Sequence, residues 1–350
     1  MNKKIIFPFV GDSIGGSHIS SVLLIKELKK KMNVKIILHK KGPLAEYLKK
    51  QNLKFEYLKI NKLPGDDYTF FNFVKNLFNS YQKVQIYLRR NKDIDFIHGN
   101  DLRINLLWSF SSFSLKNYIW HQRTLFKRKN SLLGIYMFIF SKKVICISKS
   151  VSNSLPGYLK SYKEVIYNPI DFKYLKPKIN KKKIFFLSKL TKDKGADLVY
   201  DLVNNKRFIY KIHIIGKGFY RKKFKNLNKS NINFKNSISS SNLIFNINTI
   251  VLCPSRFEGF GRVLAEAIIA NSTVIASNIF AHKEINHYCI NKKNLKLVDF
   301  ENKEYFFNLI KEEISRHKIF HEEKKLKKLT NKNLHAKKIM SIYKNILTNN

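Results

Sequence analysis

The residues of this sequence that are best suited to chemistry lie in segment 251–271, where Glu258 precedes Gly259-Phe260-Gly261 and Glu266 follows. A glycine loop lets backbone N–H groups approach an anion, and the first turn of a following helix adds N–H groups and a favourable dipole. Carboxylates beside such a site are expected to bind sugar or ribose hydroxyls. The segment therefore predicts a phosphate site, and a surface loop before a core helix is the alternative.

The surrounding pattern predicts which elements hold these groups. An apolar run at 250–252 ends at Pro254, and residues 263–270 have the pattern of a buried helix, so the segment reads as strand, loop and helix. Lys189 and Lys194 follow the apolar run 184–187, and Gly216 follows 212–215. Loops that follow parallel strands meet at one edge of the sheet, so we expect these lysines to face the same anion, although surface lysines are the alternative.

The N-terminal half also alternates strand and helix patterns, which indicates a parallel sheet with helices on both faces. Gly15 and Gly16 lie in the loop that follows the first strand, and they let the backbone approach a ligand closely. Ser17 is expected to cap the helix that begins after this loop. The segment lacks the G-x-G-x-x-G fingerprint, and no acidic residue ends the second strand. Both features argue against a dinucleotide dehydrogenase.

Two histidines stand at predicted strand ends in this half. His98 fits a hydrogen-bonded structural role, whereas His121 is followed by Gln122 and Arg123 and is predicted to face an anion-binding cleft. A hinge is expected at 167–171, where Pro169 stops any helix. The sequence thus predicts two doubly wound α/β domains, 1–168 and 169–334. The apolar stripe in the last helix predicts core packing, with a membrane-surface helix as the alternative.

The charge is extreme, with 67 Lys and Arg against 24 Asp and Glu and a formal net charge of +43. Such charge attracts nucleic acid, anionic membranes or anionic small substrates. The lysines are scattered without a basic helix or arm, which argues against nucleic acid. Part of the excess is compositional, since Lys, Asn, Ile and Phe are all abundant, and the rest suits acidic lipid headgroups.

Three widely spaced cysteines predict neither a disulfide framework nor a metal site and suit a reduced cytosolic protein. No signal peptide precedes the first strand, and the longest apolar run, 132–140, is about half of what a membrane span needs. We therefore expect a cytoplasmic protein whose contact with the inner face of the membrane is peripheral.

Taken together, the motifs resemble the retaining family-4 glycosyltransferases, and the resemblance extends over nearly the whole chain. Its most specific part is the block from Pro254-Ser255 to Glu266-Ala267. The other matching residues are Gly15-Gly16, His98, Ser148, Asn168-Pro169-Ile170-Asp171, Lys194-Gly195 and Gly216-Lys217-Gly218.

The resemblance implies a GT-B architecture, in which two Rossmann-like domains face a central cleft. The N-terminal domain would bind the acceptor, the C-terminal domain would bind the nucleotide sugar, and the final helix, 335–350, would pack back on the N-terminal domain. Glu266 would hold the donor ribose and Glu258 the transferred sugar. Backbone groups near Phe260, Gly261 and Val263 would hold sugar and diphosphate, with Lys194 on the diphosphate.

The expected activity is transfer of a sugar from a UDP- or GDP-sugar, with retention, to a glycan or lipid-linked oligosaccharide of the cell surface. No cofactor or metal is expected, because Lys189, Lys194 and loop N–H groups would stabilise the leaving phosphate. Gly16 and Gly216 would approach the donor, and His121 would line the sugar site. The expected catalytic residues are His121 and Glu258.

Three departures from the family pattern stand out. Ser188-Lys189-Leu190 replaces a Gly-Arg-Leu segment, and lysine cannot supply the bidentate fork of arginine. Asn271 stands where glycine is common, and Ala281-His282 where two small residues are usual. Two other classes stay open, a noncatalytic scaffold on the membrane face of a glycan assembly complex and a basic nucleic-acid-binding protein.

Overall fold

The computed structural model describes residues 3–60, 62–63, 69–113, 115–126, 131–171, 182–227, 229–236, 244–316 and 320–348. The chain divides into two compact units. Unit 1 comprises Met1–Pro169 and Thr330–Asn350, and unit 2 comprises Ile170–Leu329. Each unit is built around its own parallel sheet.

The described residues of unit 1 form seven strands, and the central strands of the sheet are buried almost throughout, as expected for a sheet covered on both faces. They are β1 (Lys4–Phe9), β2 (Asn33–Leu38), β3 (Glu56–Tyr57), β4 (Phe96–Gly99), β5 (Asn117–Gln122), β6 (Lys143–Cys146) and β7 (Lys163–Val165). All neighbours pair in parallel, in the order β3-β2-β1-β4-β5-β6-β7. The winding direction therefore reverses between β1 and β4, where α/β sheets bind ligands at their carboxyl ends.

The described helices of unit 1 alternate with these strands. They are α1 (Gly16–Leu28), α2 (Pro43–Lys50), α3 (Phe70–Arg90), α4 (Leu102–Ser112), α5 (Ser131–Phe140), α6 (Lys149–Ser154) and the final helix α13 (Lys332–Thr348). Helices α1, α2 and α13 share one apolar core with the sheet, to which α13 contributes Ile339, Ile342 and Tyr343. The apolar stripe of the last helix is thus core packing.

One cap differs from the prediction. Helix α1 begins at Gly16 with Gly15 as its N-cap, so Ser17 lies inside the helix and the prediction that it caps α1 was wrong. The backbone N–H of Gly15 donates to Nδ1 of His18 over 3.1 Å. Ser148 does cap α6, because its Oγ accepts from the backbone N–H of Val151.

The described part of unit 2 repeats the same winding with six strands. They are β8 (Lys183–Leu187), β9 (Ile212–Ile215), β10 (Ile232–Lys235), β11 (Thr249–Cys253), β12 (Thr273–Ser277) and β13 (Leu295–Val298). The parallel order is β10-β9-β8-β11-β12-β13. Its helices are α7 (Ala196–Asn204), α8 (Arg221–Asn226), α9 (Arg262–Ile269), α10 (Phe280–Tyr288), α11 (Lys303–Ser315) and α12 (Lys324–Leu329). The predicted class, two doubly wound α/β units, is confirmed.

Candidate functional site

The loops after β8 and β11 are joined at the carboxyl edge of the unit 2 sheet. Arg256, in the loop after β11, donates its backbone N–H to Asp193 O over 2.9 Å. Its guanidinium donates to Lys192 O at 2.8 Å and to the Asp197 carboxylate at 2.7 Å. Gly195 lies where the loops cross, and a Cβ there would stand 2.1 Å from Pro254 O. The two loops therefore form one rigid edge.

Lys194 and Glu258 meet on this edge. Nζ of Lys194 donates to Oε2 of Glu258 over 2.5 Å and to the carbonyl oxygen of Phe257 over 3.3 Å. Both side chains remain about a quarter exposed, so solvent and ligands reach the pair. The structure thus brings together the cation and the carboxylate that the sequence assigned separately. An incoming phosphate would compete with Glu258 for Lys194.

Glu266 lies on α9 and is held by a residue that the sequence reasoning missed. Nε of Arg262 lies 2.7 Å from Oε1 of Glu266, and both side chains are largely buried. Their spacing of four residues on one helix was the signal that could have revealed the pair. Gly261, with φ of 79°, directly precedes α9 in a left-handed conformation that favours glycine. Helix α9 therefore holds a fixed carboxylate one turn inside its N-terminus.

His282 is the second missed residue and corresponds to a departure from the family pattern. It is buried on α10, and its Nδ1 donates to Ser277 O over 2.8 Å. Burial lowers the pKa of His282, so the ring is neutral with its proton on Nδ1. A Cβ added to Gly261 would lie 3.4 Å from Cδ2 of His282 and 3.7 Å from Cγ of Glu258. His282 therefore backs the glycine loop.

The loops after β8 and β9 are also in close contact. The backbone N–H of Leu190 donates to Lys217 O over 2.9 Å, and a Cβ on Gly216 would stand 1.8 Å from Ser188 O. Lys189 is exposed on this edge. Of the other predicted donor residues, Phe260 is buried and Val263 is half-buried. The predicted donor residues of unit 2 thus lie on loops at one sheet edge and on the first turns of α9.

Gly216→Ala is expected to lower the free energy of unfolding of unit 2 by about 2–4 kcal/mol, because backbone must move to accommodate the new methyl group. Urea denaturation of the full chain measures the change. Gly157→Ala is the matched control, since a Cβ at Gly157 meets nothing within 4 Å. Equal unfolding midpoints for the two variants would contradict the close approach of these loops.

Unit 1 carries a buried polar network at the carboxyl ends of β4 and β5. Nδ1 of His121 accepts from Arg123, whose NH2 group lies 3.3 Å away, so His98 must donate from Nε2 to that atom over 2.9 Å. Nδ1 of His98 then accepts from the Tyr343 hydroxyl over 2.6 Å. His98 is thus a hydrogen-bonded structural residue that ties the sheet to α13.

Arg123 is the buried cation of this network. Its guanidinium donates to Oδ1 of Asn100 at 2.8 Å and to Oδ1 of Asn168 at 2.8 Å. Burial, followed by the charge of Arg123, lowers the pKa of His121 well below its usual value, and the same two causes lower that of His335 to about 3. Both rings are therefore neutral at pH 7.

His121, the predicted catalytic histidine, is fully buried in this network. Because its Nδ1 accepts, its Nε2 carries the proton, and within the described part of the chain that donor has no hydrogen-bond partner. Gly16 is exposed at the first turn of α1. Arg103 pairs with Asp12 over 2.9 Å and fixes the loop before α1. The carboxyl edge of unit 1 therefore combines a helix N-terminus, a buried cation and an unused imidazole donor.

The sequence of this chain is similar to those of known glycosyltransferases. Residues 168–333 match the family described as glycosyl transferases group 1. The uncharacterized glycosyltransferase MJ1178 of Methanocaldococcus jannaschii is 31% identical over 167 residues, which is 45% of this chain and 47% of that protein. The capsular polysaccharide biosynthesis glycosyltransferase CapH of Staphylococcus aureus is 25% identical over 316 residues, 81% of this chain and 84% of CapH.

The fold has a counterpart among solved structures. Alr3699/HepE of Anabaena, in complex with UDP and glucose, superimposes with a TM-score of 0.72 at 16% identity, over 99% of both chains. This likeness concerns the fold alone and agrees with the GT-B class, which has two Rossmann-like units. The C-terminal part of this chain is similar to group 1 glycosyl transferases, and the relatives include a glycosyltransferase of capsular polysaccharide biosynthesis.

Proposed function

We propose that this chain is a retaining glycosyltransferase that moves a sugar from a nucleoside diphosphate sugar to a glycan or lipid-linked acceptor in cell-surface polysaccharide synthesis. The observation that carries the proposal is the joined edge of unit 2, where Lys194 and Glu258 pair beside the glycine loop and Glu266 stands on the following helix. This arrangement offers a cation and backbone donors to a diphosphate, and carboxylates to the hydroxyls on either side.

Donor binding would rearrange one contact. The diphosphate competes for Lys194, and Glu258 is then released to accept from a hydroxyl of the transferred sugar. As the bond from the anomeric carbon to the phosphate oxygen breaks, Lys189, Lys194 and loop N–H groups stabilise the charge on the leaving phosphate. The acceptor hydroxyl adds to the same face of the sugar and passes its proton to that phosphate. The lysines supply the positive charge, so the proposed reaction is metal-independent.

His121 takes a binding role in this proposal. His98 and Arg123 fix its tautomer, and the buried Nε2 proton would donate to a substrate hydroxyl only after the side chains that cover the ring move aside. A neutral imidazole suits a hydroxyl better than it suits a phosphate, and burial together with the charge of Arg123 keeps the ring neutral. The proposal also assigns the protein to the cytoplasm, with an anionic membrane surface as a further partner.

Glu266→Gln is expected to raise the Kd for UDP about tenfold, because a carboxylate that accepts two ribose hydroxyl protons becomes an amide with one acceptor oxygen. Isothermal titration of the full chain with UDP measures the affinity. Glu312→Gln, at an exposed position of α11, makes the same charge change and is the control, for which we expect no effect. An unchanged Kd in Glu266→Gln would remove Glu266 from the donor site.

The donor and the reaction are tested together. Thermal shift with UDP-, GDP- and ADP-sugars is expected to show stabilisation by one nucleotide class, since a ligand that binds only the folded state raises the unfolding temperature. The stabilising donor is then incubated with the protein and the released nucleoside diphosphate is measured. A noncatalytic scaffold would bind the donor without consuming it, and stabilisation by none of the donors would contradict the proposal.

A further inference from the structure

Helix α5 presents an apolar face to solvent. Its ten residues, SLLGIYMFIF, include no charged side chain. Leu132 is 77% exposed and Phe138 is 55% exposed, and Ile135 and Ile139 are each nearly half exposed. A helix of ten residues is only about 15 Å long, about half the thickness of a bilayer core. Among the described residues no helix has the length and composition of a membrane span.

The face continues beyond α5. The ring of Phe140 at the end of α5 lies 5.1 Å from that of Phe113, which follows α4. Phe113 is 52% exposed and Leu115 is 42% exposed. We call the combined surface the apolar face, and it consists of Phe113, Leu115, Leu132, Ile135, Phe138 and Ile139.

A basic cleft adjoins this face. It has a volume of about 720 Å³, lies at the amino ends of β4, β5 and β6, and shares Phe113, Leu115, Phe138 and Ile139 with the apolar face. Its cationic lining residues are Lys92, Lys116 and Lys142. The carboxylate among the lining residues, Asp95, already lies 3.0 Å from Nζ of Lys3. The cleft is therefore suited to an anion.

The position of the cleft separates it from the candidate substrate site. The candidate site lies at the carboxyl ends of β4 and β5, where His98, His121 and Arg123 are found, whereas the basic cleft lies at the amino ends of the same strands. Ligands of doubly wound folds bind at the carboxyl edge. The cleft and the apolar face thus need another occupant.

We propose that the apolar face enters the interface of an anionic lipid bilayer and that the basic cleft binds lipid phosphates. Apolar side chains bordered by lysines match both parts of such an interface, the acyl boundary and the negative headgroups. A second copy of this chain is a poorer occupant, because it would bring two basic clefts together on molecules that each carry a net charge of +43.

Flotation of the full chain with vesicles tests the proposal. We expect binding to vesicles that contain phosphatidylglycerol and at least about tenfold weaker binding to pure phosphatidylcholine. Leu132→Gln/Phe138→Gln is expected to weaken binding to the anionic vesicles about tenfold or more, because it removes exposed apolar area. Lys92→Gln/Lys142→Gln is expected to weaken it by about fivefold for each lysine.

The controls make the same chemical changes on unit 2. Ile209→Gln/Phe219→Gln alters two residues that are 75% and 78% exposed, and Lys222→Gln/Lys225→Gln removes two exposed lysines. Both should retain vesicle binding within about twofold, since area and charge count only where they touch the bilayer. Should the double variant at α5 fail to fold, Leu132→Gln alone tests the most exposed position.

Three results would overturn the proposal. They are absence of binding to anionic vesicles, equal binding to both vesicle types, and equal losses in the control variants. Light scattering adds a fourth, in which the α5 variant converts a dimer to a monomer and no vesicle binding occurs. Vesicle binding requires no sugar donor, so its failure would leave the proposed sugar transfer untouched.

Discussion

Replacing Lys194 with alanine is expected to lower the rate of sugar transfer by about two to three orders of magnitude, the usual effect of removing a group that stabilises a developing anion. The structure holds Lys194 rigidly, because the turn that carries it is bonded to the loop after β11 through Arg256. Its ammonium group already lies beside the glycine loop, where the leaving phosphate would develop charge. Steady-state release of the nucleoside diphosphate measures the effect.

Lys192→Ala is the matched control, since it removes an exposed lysine from the same turn. We expect a change of less than about threefold, because an exposed charge is screened by solvent and salt. Equal losses in the two variants would show that general positive charge, rather than Lys194, serves the reaction.

The pairing with Glu258 adds a second test of Lys194. Lys194→Ala leaves Glu258 without that lysine, so part of its effect on donor affinity would arise from repulsion between the carboxylate and the diphosphate. The double variant Lys194→Ala/Glu258→Gln should therefore regain donor affinity over Lys194→Ala alone, while its transfer rate stays low. Recovery of the rate as well would contradict a role for Lys194 in the transition state.

Local pattern was sufficient to predict the elements that carry this site. The apolar run at 250–252 lies in β11, and the predicted helix 263–270 corresponds to α9, Arg262–Ile269. The winding of both sheets followed from the alternation of strand and helix signals. These features depend on residues that are close in sequence, and hydrophobic periodicity records such relations directly.

The contacts within the site were beyond such a prediction. Lys194 and Glu258 are 64 residues apart, and His98 and Tyr343 are 245 apart. Many lysines could contact a given carboxylate. The one that does is decided by the relative positions of two loops at the sheet edge, and these positions cannot be predicted from composition. The pair of Arg262 and Glu266 could have been predicted, because its spacing alone places both side chains on one face of α9.

Ser17 shows how the preference of serine for the N-cap position can mislead when a helix begins earlier than expected. Serine is a good N-cap, but α1 begins one residue earlier and His18 takes the bond from the Gly15 N–H. His282 shows the opposite case. Its position departs from the family pattern, yet the structure buries it behind Gly261, and its Cδ2 would lie 3.4 Å from a Cβ added to that glycine.

Unit 1 is expected to lose stability steeply as the pH falls below about 6.5. Burial lowers the pKa of His39 to about 4, and burial with the Arg123 charge lowers that of His335 to about 3. Burial also lowers the pKa of His98 and of His121 well below their usual range. Above pH 6.5 these rings are neutral in both states, and below it only the unfolded chain gains protons. The free energy of unfolding therefore falls between pH 6.5 and about 3.

The expected slope follows from the number of protons. Each histidine that is protonated only in the unfolded state contributes about 1.4 kcal/mol per pH unit, so four give roughly 5 kcal/mol per pH unit near pH 5. Both tryptophans of the chain, Trp108 and Trp120, are buried in unit 1, so their fluorescence during urea unfolding reports this unit. Midpoints measured from pH 7 to pH 4.5 give the slope.

His39 offers the most direct check of this pH dependence, because both of its ring nitrogens form hydrogen bonds that define its protonation state. Nδ1 donates to Leu58 O over 2.7 Å, and Nε2 accepts from Nε1–H of Trp108 over 2.8 Å, so a proton on Nε2 would face the N–H donor of Trp108. His39→Gln removes the titrating group and should reduce the slope by about 1.4 kcal/mol per pH unit. His287→Gln is the control, since its exposed ring lies in solvent before and after unfolding. A slope unchanged in His39→Gln would show that acid acts elsewhere in unit 1, and a flat profile above pH 4.5 would contradict neutral burial of these histidines.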